Sequence, residues 1–396
     1  MTGKSKAIPV SEASAIILSQ GSMMPSEVAS SRAGGIVANT VLADRPHPPF
    51  DRVAMDGIAI RFADMGQILF TEEGFAPAGA PAAMLGQAQG SCLRVATGAV
   101  LPIGADTVIP VEHLRSAGER RWAVERAPVP GANVHRKAAD LAQGTPVLTK
   151  GMRLGPCEAG AAATFGEFPS VVARLPRIAL VCTGDEIVPP SQTPPPHGIR
   201  ASHPACLGTA LALAGFPVSY EALVSDAPGD LVNRLRGLTE YDLILCTGGV
   251  SVGERDLVPD ALEAAGFRKV FHGVQMKPGK PLWFGVAEDG RTAFGLPGNP
   301  VSALVSLVRF VLPHLRYRSG DRLPDPFLRL ATEPLAPDPF RTRFLPCVLA
   351  DQPAGTRVQL VKSGGSGDLP ALVGTDGFVE VPPGDVPAAL AFRRWG

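Results

Sequence analysis

The chain has no excess charge of either sign. Its 37 Lys and Arg balance 37 Asp and Glu, for a formal net charge of zero. A protein whose main partner is a nucleic acid or an anionic membrane is normally basic, so neither is expected here, and any anion-binding surface has to be local. Long apolar runs are missing too: none approaches the roughly 18 residues of a membrane span, and the first residues carry no signal-peptide core. A soluble, cytoplasmic protein is expected. The six cysteines (Cys92, Cys157, Cys182, Cys206, Cys246 and Cys347) include no CxxC pair. Three lie in apolar runs such as Ile178–Cys182 and Leu243–Cys246, so they read as buried, reduced, small hydrophobes. The seven histidines show no metal-ligand spacing, so no protein-bound zinc or iron is expected. The GxxxxGK[ST] phosphate loop is absent, which argues against an ordinary P-loop NTPase. Tyr and Trp number only 3 each, against 44 Gly and 40 Pro. That imbalance excludes a helical bundle and implies tight turns and short elements.

The 396 residues allow two to four folding units and a sizeable core without a metal or disulfide staple. The first 40 residues read as two short helices, one from Ser11 and one beginning at Pro25-Ser-Glu-Val. From Ala43 to about Asp140 the runs are short, β-branched and broken by Gly, Pro and Asp, which predicts a small β-rich unit. Between Gly144 and Arg174 a strand–turn–strand leads into an Ala-rich helix near Pro156. Its texture matches the first 40 residues, so the β-unit is expected to be inserted into a discontinuous domain. From Arg177 the rhythm is strand, helix, strand, with a long apolar helix from Pro300 to about Tyr317. That alternation predicts an open α/β sheet with helices on both faces. Strand-length runs from 324 to 396 predict a second small β-domain.

In such a sheet, ligands bind beyond the carboxyl ends of the strands. Three unusual loops fall there: Thr183-Gly184-Asp185-Glu186, the Gly-rich run from Thr247 to Asp256, and Pro297-Gly-Asn299-Pro300. Gly248 and Gly249 let backbone N–H groups approach a ligand, Thr247 and Ser251 add hydroxyls, and Pro300 opens a helix whose free N–H groups form an anion site. Met276-Lys277-Pro-Gly-Lys280-Pro presents two ammonium groups on a stiff turn. Alone, each is an ordinary feature: a tight turn, a solvated hairpin, a structural cap. Converging on one sheet edge, the donors, two lysines and the carboxylates Asp185, Glu186 and Asp256 fit an anionic ligand whose phosphates also need Mg²⁺. In the β-unit, Asp56-Gly57 and Thr97-Gly98 read from spacing as hairpin turns.

Taken in order, Met55-Asp-Gly, Thr97-Gly, Thr183-Gly-Asp-Glu, Gly248-Gly-Val-Ser-Val-Gly-Glu, Met276-Lys-Pro-Gly-Lys-Pro and Gly295-Leu-Pro-Gly-Asn-Pro-Val-Ser resemble the molybdopterin molybdenumtransferases, the MoeA and gephyrin E-domain family. The resemblance runs from about residue 8 to the C-terminus. It implies a discontinuous elongated domain (8–42 with 144–174), an inserted β-domain (43–143), a molybdopterin-binding α/β domain (175–320) and a C-terminal β-barrel-like domain (324–396). It also implies a homodimer, with the cleft between the α/β domain of one subunit and the inserted domain of the other. The implied reaction is Mg²⁺-assisted insertion of molybdate into adenylylated molybdopterin, with release of AMP. Contact with the molybdopterin adenylyltransferase and with acceptor molybdoenzymes is a further implication.

By motif position, Thr183, Gly184, Asp185, Gly248, Gly249, Ser251, Gly253, Asn299 and Ser366 would bind the pterin phosphate or nucleotide. Pro297 and Pro300 would shape the molybdate pocket, and Lys277 and Lys280 would clamp the anion. Glu186 and Asp256 would support the metal or substrate, with Asp56, Thr97 and Asp140 supplied across the dimer cleft. The chain departs from the family pattern at four places. Ala201 stands where a functional carboxylate is expected, Ala139 and Arg52 replace polar positions around Asp140 and before Met55, and Pro346 replaces an Arg. His203 beside Ala201 reads as a solvated loop histidine. The missing carboxylate motivates an alternative of a different class, a non-catalytic molybdenum-cofactor carrier of the same fold. A scaffold role has little in the sequence to support it.

Overall fold

Ile178–Thr183 and Leu243–Thr247 are apolar throughout and lie side by side as parallel strands, Ile178 against Leu243 and Cys182 against Thr247. They form the centre of a six-stranded sheet in the computed structural model, which describes residues 7–29, 34–250, 257–321, 326–353 and 355–396. The strand order is Tyr220–Val224, Ile178–Thr183, Leu243–Thr247, Thr292–Leu296, Trp283–Val286, Arg268–His272. The first four run parallel, Trp283–Val286 is antiparallel to its neighbour Thr292–Leu296, and Arg268–His272 is antiparallel to Trp283–Val286. The open α/β expectation therefore holds with a mixed edge. The Trp283–Val286 strand, which the sequence does not announce, links the Arg268–His272 edge strand to the parallel part of the sheet.

Side chains alternate across each strand, so both faces must be covered. Ile178, Leu180, Leu243 and Leu245 pack with Val10, Ala13 and Ile17 of the Val10–Leu18 helix, with Leu207 and Leu211 of the His203–Leu213 helix, and with the helix beginning at Pro300. Ala179, Val181, Ile244 and Cys246 pack on the opposite face with Leu231 and Leu235 of Pro228–Arg236 and with Val258 and Leu262 of Val258–Ala264. The long helix expected from Pro300 runs as Pro300–Ser306, a π-helical stretch Leu307–Val311, and Leu312–Arg318.

The described residues form two compact units, one made of 39–149 and 156–170, the other of the remainder. The first contains the β-rich run expected from Ala43 to about Asp140, but it also takes in 144–149 and the Pro156–Thr164 helix, which the texture of the sequence groups with the first 40 residues. Its main sheet has the order Thr107–Pro110, Gly57–Ile60, Ser91–Val95, Leu69–Ala76, Arg121–Val124, Leu114–Ser116. In the other unit, the sheet Met276–Lys277, Thr342–Gln352, Gly377–Val381, Ala389–Arg394, Phe327–Leu330 makes the C-terminal β-structure, with Gly355–Leu360 paired to Thr342–Gln352.

Two expectations are corrected. The segment after Pro25 is a strand, Ser26–Ala29, with the Arg174 N–H donating to the Pro25 carbonyl at 2.8 Å. Pro25-Ser-Glu-Val offers one turn of helical pattern, too little to offset the cost of nucleation, so the chain is free to pair as a strand. The cysteines are not uniformly buried. Cys92, Cys182, Cys246 and Cys347 are, while Cys206 is half-buried and Cys157, in the first turn of the Pro156–Thr164 helix, is exposed.

Candidate functional site

Thr183 ends the first central strand and Thr247 ends the second, so the loops that follow leave the sheet side by side. Gly248 has a φ of +91°, and a β-carbon built on it would lie 2.3 Å from the Thr183 carbonyl oxygen. Only glycine fits there. A β-carbon on Gly298 would in turn meet the Gly248 Cα at 3.4 Å. The three loops singled out in the sequence thus converge, through Thr183, Gly248 and Gly298, at the carboxyl ends of parallel strands. Gly249 follows at a φ of +54°. Ser251, Gly253 and Asp256 lie outside the described residues.

Around this point the residues sort by burial. Thr183, Gly184 and Pro297 are buried; Asp185, Glu186, Gly298 and Asn299 are exposed. Asp185 Oδ1 accepts the Asp226 backbone N–H at 3.1 Å. The Glu186 carboxylate folds back over Gly184, whose β-carbon would sit 2.7 Å from Oε2. Asn299 precedes the Pro300–Ser306 helix, and its Nδ2 donates to Ser366 Oγ at 2.7 Å. The Val301 N–H donates to the Ser366 carbonyl at 3.1 Å, so the Ser366 loop of the C-terminal β-structure is fastened to the helix start.

Lys277 and Lys280 are both exposed. The bend between them rests on the same helix, because a β-carbon on Gly279 would touch Ser306 Oγ at 3.0 Å. Ser306 lies about 9 Å along the helix axis from Pro300 at 1.5 Å per residue. Met276 and Lys277 also pair in parallel with Thr342 and Arg343.

His203 is where sequence reasoning was wrong. It is the first residue of the His203–Leu213 helix, half-buried, with Nδ1 3.2 Å from the Oγ1 of fully buried Thr247. Its Nε2 is buried and has no hydrogen-bond partner among the described residues. Burial pushes its pKa down to about 4, so the ring is neutral at pH 7. The helix itself is expected from Pro204, but it begins one residue earlier, and no local signal shows that His203 will pack against Thr247. Ala201 is also buried, at 4% exposure, and no carboxylate occupies that place. Cys182 beneath the loops is pushed up to about 11 by burial and Cys246 higher still, so neither thiol is a nucleophile.

The inserted unit carries the other candidates. Asp56 Oδ1 accepts both the Thr97 N–H at 2.6 Å and the Thr97 hydroxyl at 2.8 Å. Those bonds, the backbone one first, hold the carboxyl below its usual range. The residue after Asp56 must be glycine, because a β-carbon on Gly57 would lie 1.9 Å from the Ile109 carbonyl oxygen of the paired strand. Asp140 belongs to a different cluster. Its Oδ1 accepts from His135 Nε2 at 2.8 Å, and Arg52 Nη2 donates to His135 Nδ1 at 3.2 Å. Among the described residues no hydrogen bond or ion pair joins Asp140 to Asp56 or Thr97. Arg52, one of the departures from the family pattern, thus fixes the tautomer of His135.

Among the described residues, no group of three or more His, Cys, Asp or Glu is placed to hold a metal ion. Mg²⁺ needs less, one or two carboxylates plus substrate phosphate oxygens. The exposed carboxylates of Asp185 and Glu186 at the strand tip supply that hard-oxygen chemistry.

An open α/β sheet with ligand loops at its strand tips, accompanied by an inserted β-unit and a C-terminal β-structure, defines a multidomain enzyme of pterin cofactor metabolism when set beside known proteins. Three family models match in chain order: the MoeA N-terminal region (domain I and II) over residues 8–166, a probable molybdopterin binding domain over 179–317, and the MoeA C-terminal region (domain IV) over 329–389. The molybdopterin molybdenumtransferase of Synechocystis is 34% identical over 355 residues, 88% of each chain. Molybdopterin molybdenumtransferase 2 of Mycobacterium tuberculosis is 33% identical over 380 residues, 91% of this chain and 92% of that one. The crystal structure of the molybdopterin biosynthesis MoeA protein from Pyrococcus horikosii superposes with a TM-score of 0.82 at 27% identity, covering 99% of this chain and 100% of that one. The chain belongs to the MoeA family of molybdopterin molybdenumtransferases, enzymes of molybdenum cofactor biosynthesis. No helix among the described residues is long and apolar enough to cross a membrane.

Proposed function

We propose that the chain inserts molybdate into adenylylated molybdopterin, with Mg²⁺ assistance and release of AMP. The observation that carries this reading is the meeting of the Thr183, Gly248 and Gly298 backbones at the strand tips. Next to it the Pro300–Ser306 helix begins and the Lys277–Lys280 bend rests on that helix. Backbone N–H groups at Gly248, Gly249 and the helix start bind the phosphates, and Thr183, Gly184, Asp185, Ser251, Gly253, Asn299 and Ser366 complete the cradle. Lys277 and Lys280 attract the oxyanion and balance charge on the departing AMP. Pro297 and Pro300 shape the molybdate pocket. Glu186 and Asp256 would hold Mg²⁺, which when bound neutralises phosphate charge. Asp56, Thr97 and Asp140 act from the inserted domain of a second subunit in a cytoplasmic homodimer. The adenylyltransferase and acceptor molybdoenzymes are its protein contacts. We retain the four-domain division 8–42 with 144–174, 43–143, 175–320 and 324–396 for this assembly.

The test mixes the purified chain with adenylylated molybdopterin, molybdate and Mg²⁺ and follows AMP. Stoichiometric release that falls to background in Asp256→Ala, with the fold intact by circular dichroism, is expected. Unchanged turnover in that variant removes Asp256 from the site. One observation favours a second reading: buried Ala201 leaves the expected carboxylate position empty of charge. Tight pterin binding without AMP release would make the protein a cofactor carrier.

A further inference from the structure

The inserted unit holds a cavity of about 400 Å³, lined in part by Asp56, Phe75, Arg94, Val111, Leu114 and Trp122. That volume suits a small organic ligand. Its wall is built from planar groups. The Arg94 guanidinium carbon lies 4.8 Å from the Phe75 ring centroid. Phe75 and Arg94 are register partners on the parallel strands Leu69–Ala76 and Ser91–Val95. Trp122 Nε1 donates to Glu72 Oε2 at 2.9 Å, while Arg94 Nε stands 3.9 Å from Glu72 Oε1. One carboxylate therefore anchors both the indole and the guanidinium. Below them Ile58 is buried, yet Phe75 is left 49% exposed. At the rim is Asp56, whose Oδ1 is taken up by the two Thr97 donors. Its Oδ2 accepts no hydrogen bond among the described residues, and a carboxylate is an acceptor only.

Aromatic faces and a flat guanidinium stack on π-rings of any sequence or substitution, and a fixed acceptor beside them selects rings that carry an N–H edge. We infer that this cavity seats a planar, amino-substituted heterocycle, stacked on the Phe75–Arg94–Trp122 wall with its exocyclic amine donating to Asp56 Oδ2. The inference rests on the reading of Asp56 as part of the substrate site. The adenylylated pterin contains two such rings, adenine and the pterin itself.

Trp122 is a built-in reporter. Of the three tryptophans, Trp283 is fully buried in the other unit, and Trp395 can be silenced as Trp395→Phe. The full chain carrying that change is titrated with AMP in one arm and with neopterin, a pterin free of nucleotide, in the other. Trp122→Phe run in parallel corrects for light absorbed by the ligand. Saturable quenching in the AMP arm assigns the shelf to adenine, and in the neopterin arm to the pterin. Phe75→Leu, which keeps apolar packing but removes the ring, should weaken the quenching ligand by about tenfold or more. No saturable quenching by either compound at millimolar concentration, or quenching unaffected by Phe75→Leu, overturns the inference. If AMP release from the adenylylated substrate proceeds while Trp122 stays silent, only the shelf is refuted. If quenching occurs without any AMP release, the shelf stands and the insertase reading falls.

Discussion

Replacing Gly248 by alanine tests whether the strand-tip loops form one unit. The new β-carbon would begin 2.3 Å from the Thr183 carbonyl oxygen and 3.1 Å from Thr183 Oγ1. A carbon–oxygen contact relaxes to about 3.3 Å, so the two loops must part by about 1 Å. Below them Cys182 and Thr247 are register partners of the sheet core and do not yield. The positive φ adds about 1–2 kcal/mol and the overpacking about 1–3 kcal/mol, a total of about 2–5 kcal/mol. Displacing a binding loop by 1 Å can also lower turnover about a hundredfold. Gly298→Ala is the control, because its β-carbon meets nothing closer than the Gly248 Cα at 3.4 Å and its φ is not positive. It should stay within about 0.5 kcal/mol of the parent. Urea unfolding followed by circular dichroism reads stability, and calorimetry with the adenylylated pterin reads binding. If the Gly248 variant matches the Gly298 variant in both, the loops do not constrain one another and the site geometry has been misread.

Two further outcomes follow from buried polar groups. His203 and His314 have their pKa values pushed down by burial, to about 4 and about 3, while the unfolded chain keeps the ordinary 6.5. The unfolded state therefore binds protons first, and stability is full above pH 6.5 and declines as the pH falls toward 4. His203 alone accounts for about 3 kcal/mol of that loss. His203→Asn should flatten the slope of unfolding free energy against pH between 4 and 6.5; an unchanged slope refutes the burial argument. Arg318, 2% exposed, donates to the carbonyls of Ser22, Asp242 and Gly290 and to Thr292 Oγ1. Arg318→Met strands those acceptors and should lower stability by about 3–5 kcal/mol in a urea titration, whereas a loss under 1 kcal/mol would mean that water replaces the guanidinium.

The α/β core was legible because its signals are local. The Ile178–Cys182 and Leu243–Cys246 runs can only be doubly covered strands, and Pro and Gly punctuate the helices between them. The loops were legible for a related reason: a glycine pair directly after a buried strand marks a place where backbones approach, and the 2.3 Å clearance at Gly248 is that approach. What the sequence hid is long-range. Nothing near Pro25 announces that it starts a strand. Nothing near Asp140 announces that His135 and Arg52 will engage it, because the pairing of Val134–His135 with Arg52–Val53 joins segments about 80 residues apart. His203 was misread because it packs against Thr247, which lies at the end of a strand 44 residues further along the chain. The Phe75–Arg94–Trp122 wall likewise exists only once three strands are in register.

The pairing of Lys277 with Arg343 means that the basic bend is stitched into a sheet whose other strands come from the last seventy residues. Ser366 adds a second stitch at the opposite end of the same short helix. Proteolytic removal of the tail would release both the ammonium arm and the start of that helix, and would strip Phe344, Leu372 and Phe378 from the core that packs on the central sheet. On the proposed reading, a trimmed chain would lose anion binding and sheet stability together, which sets the tail beside the strand tips rather than apart from them.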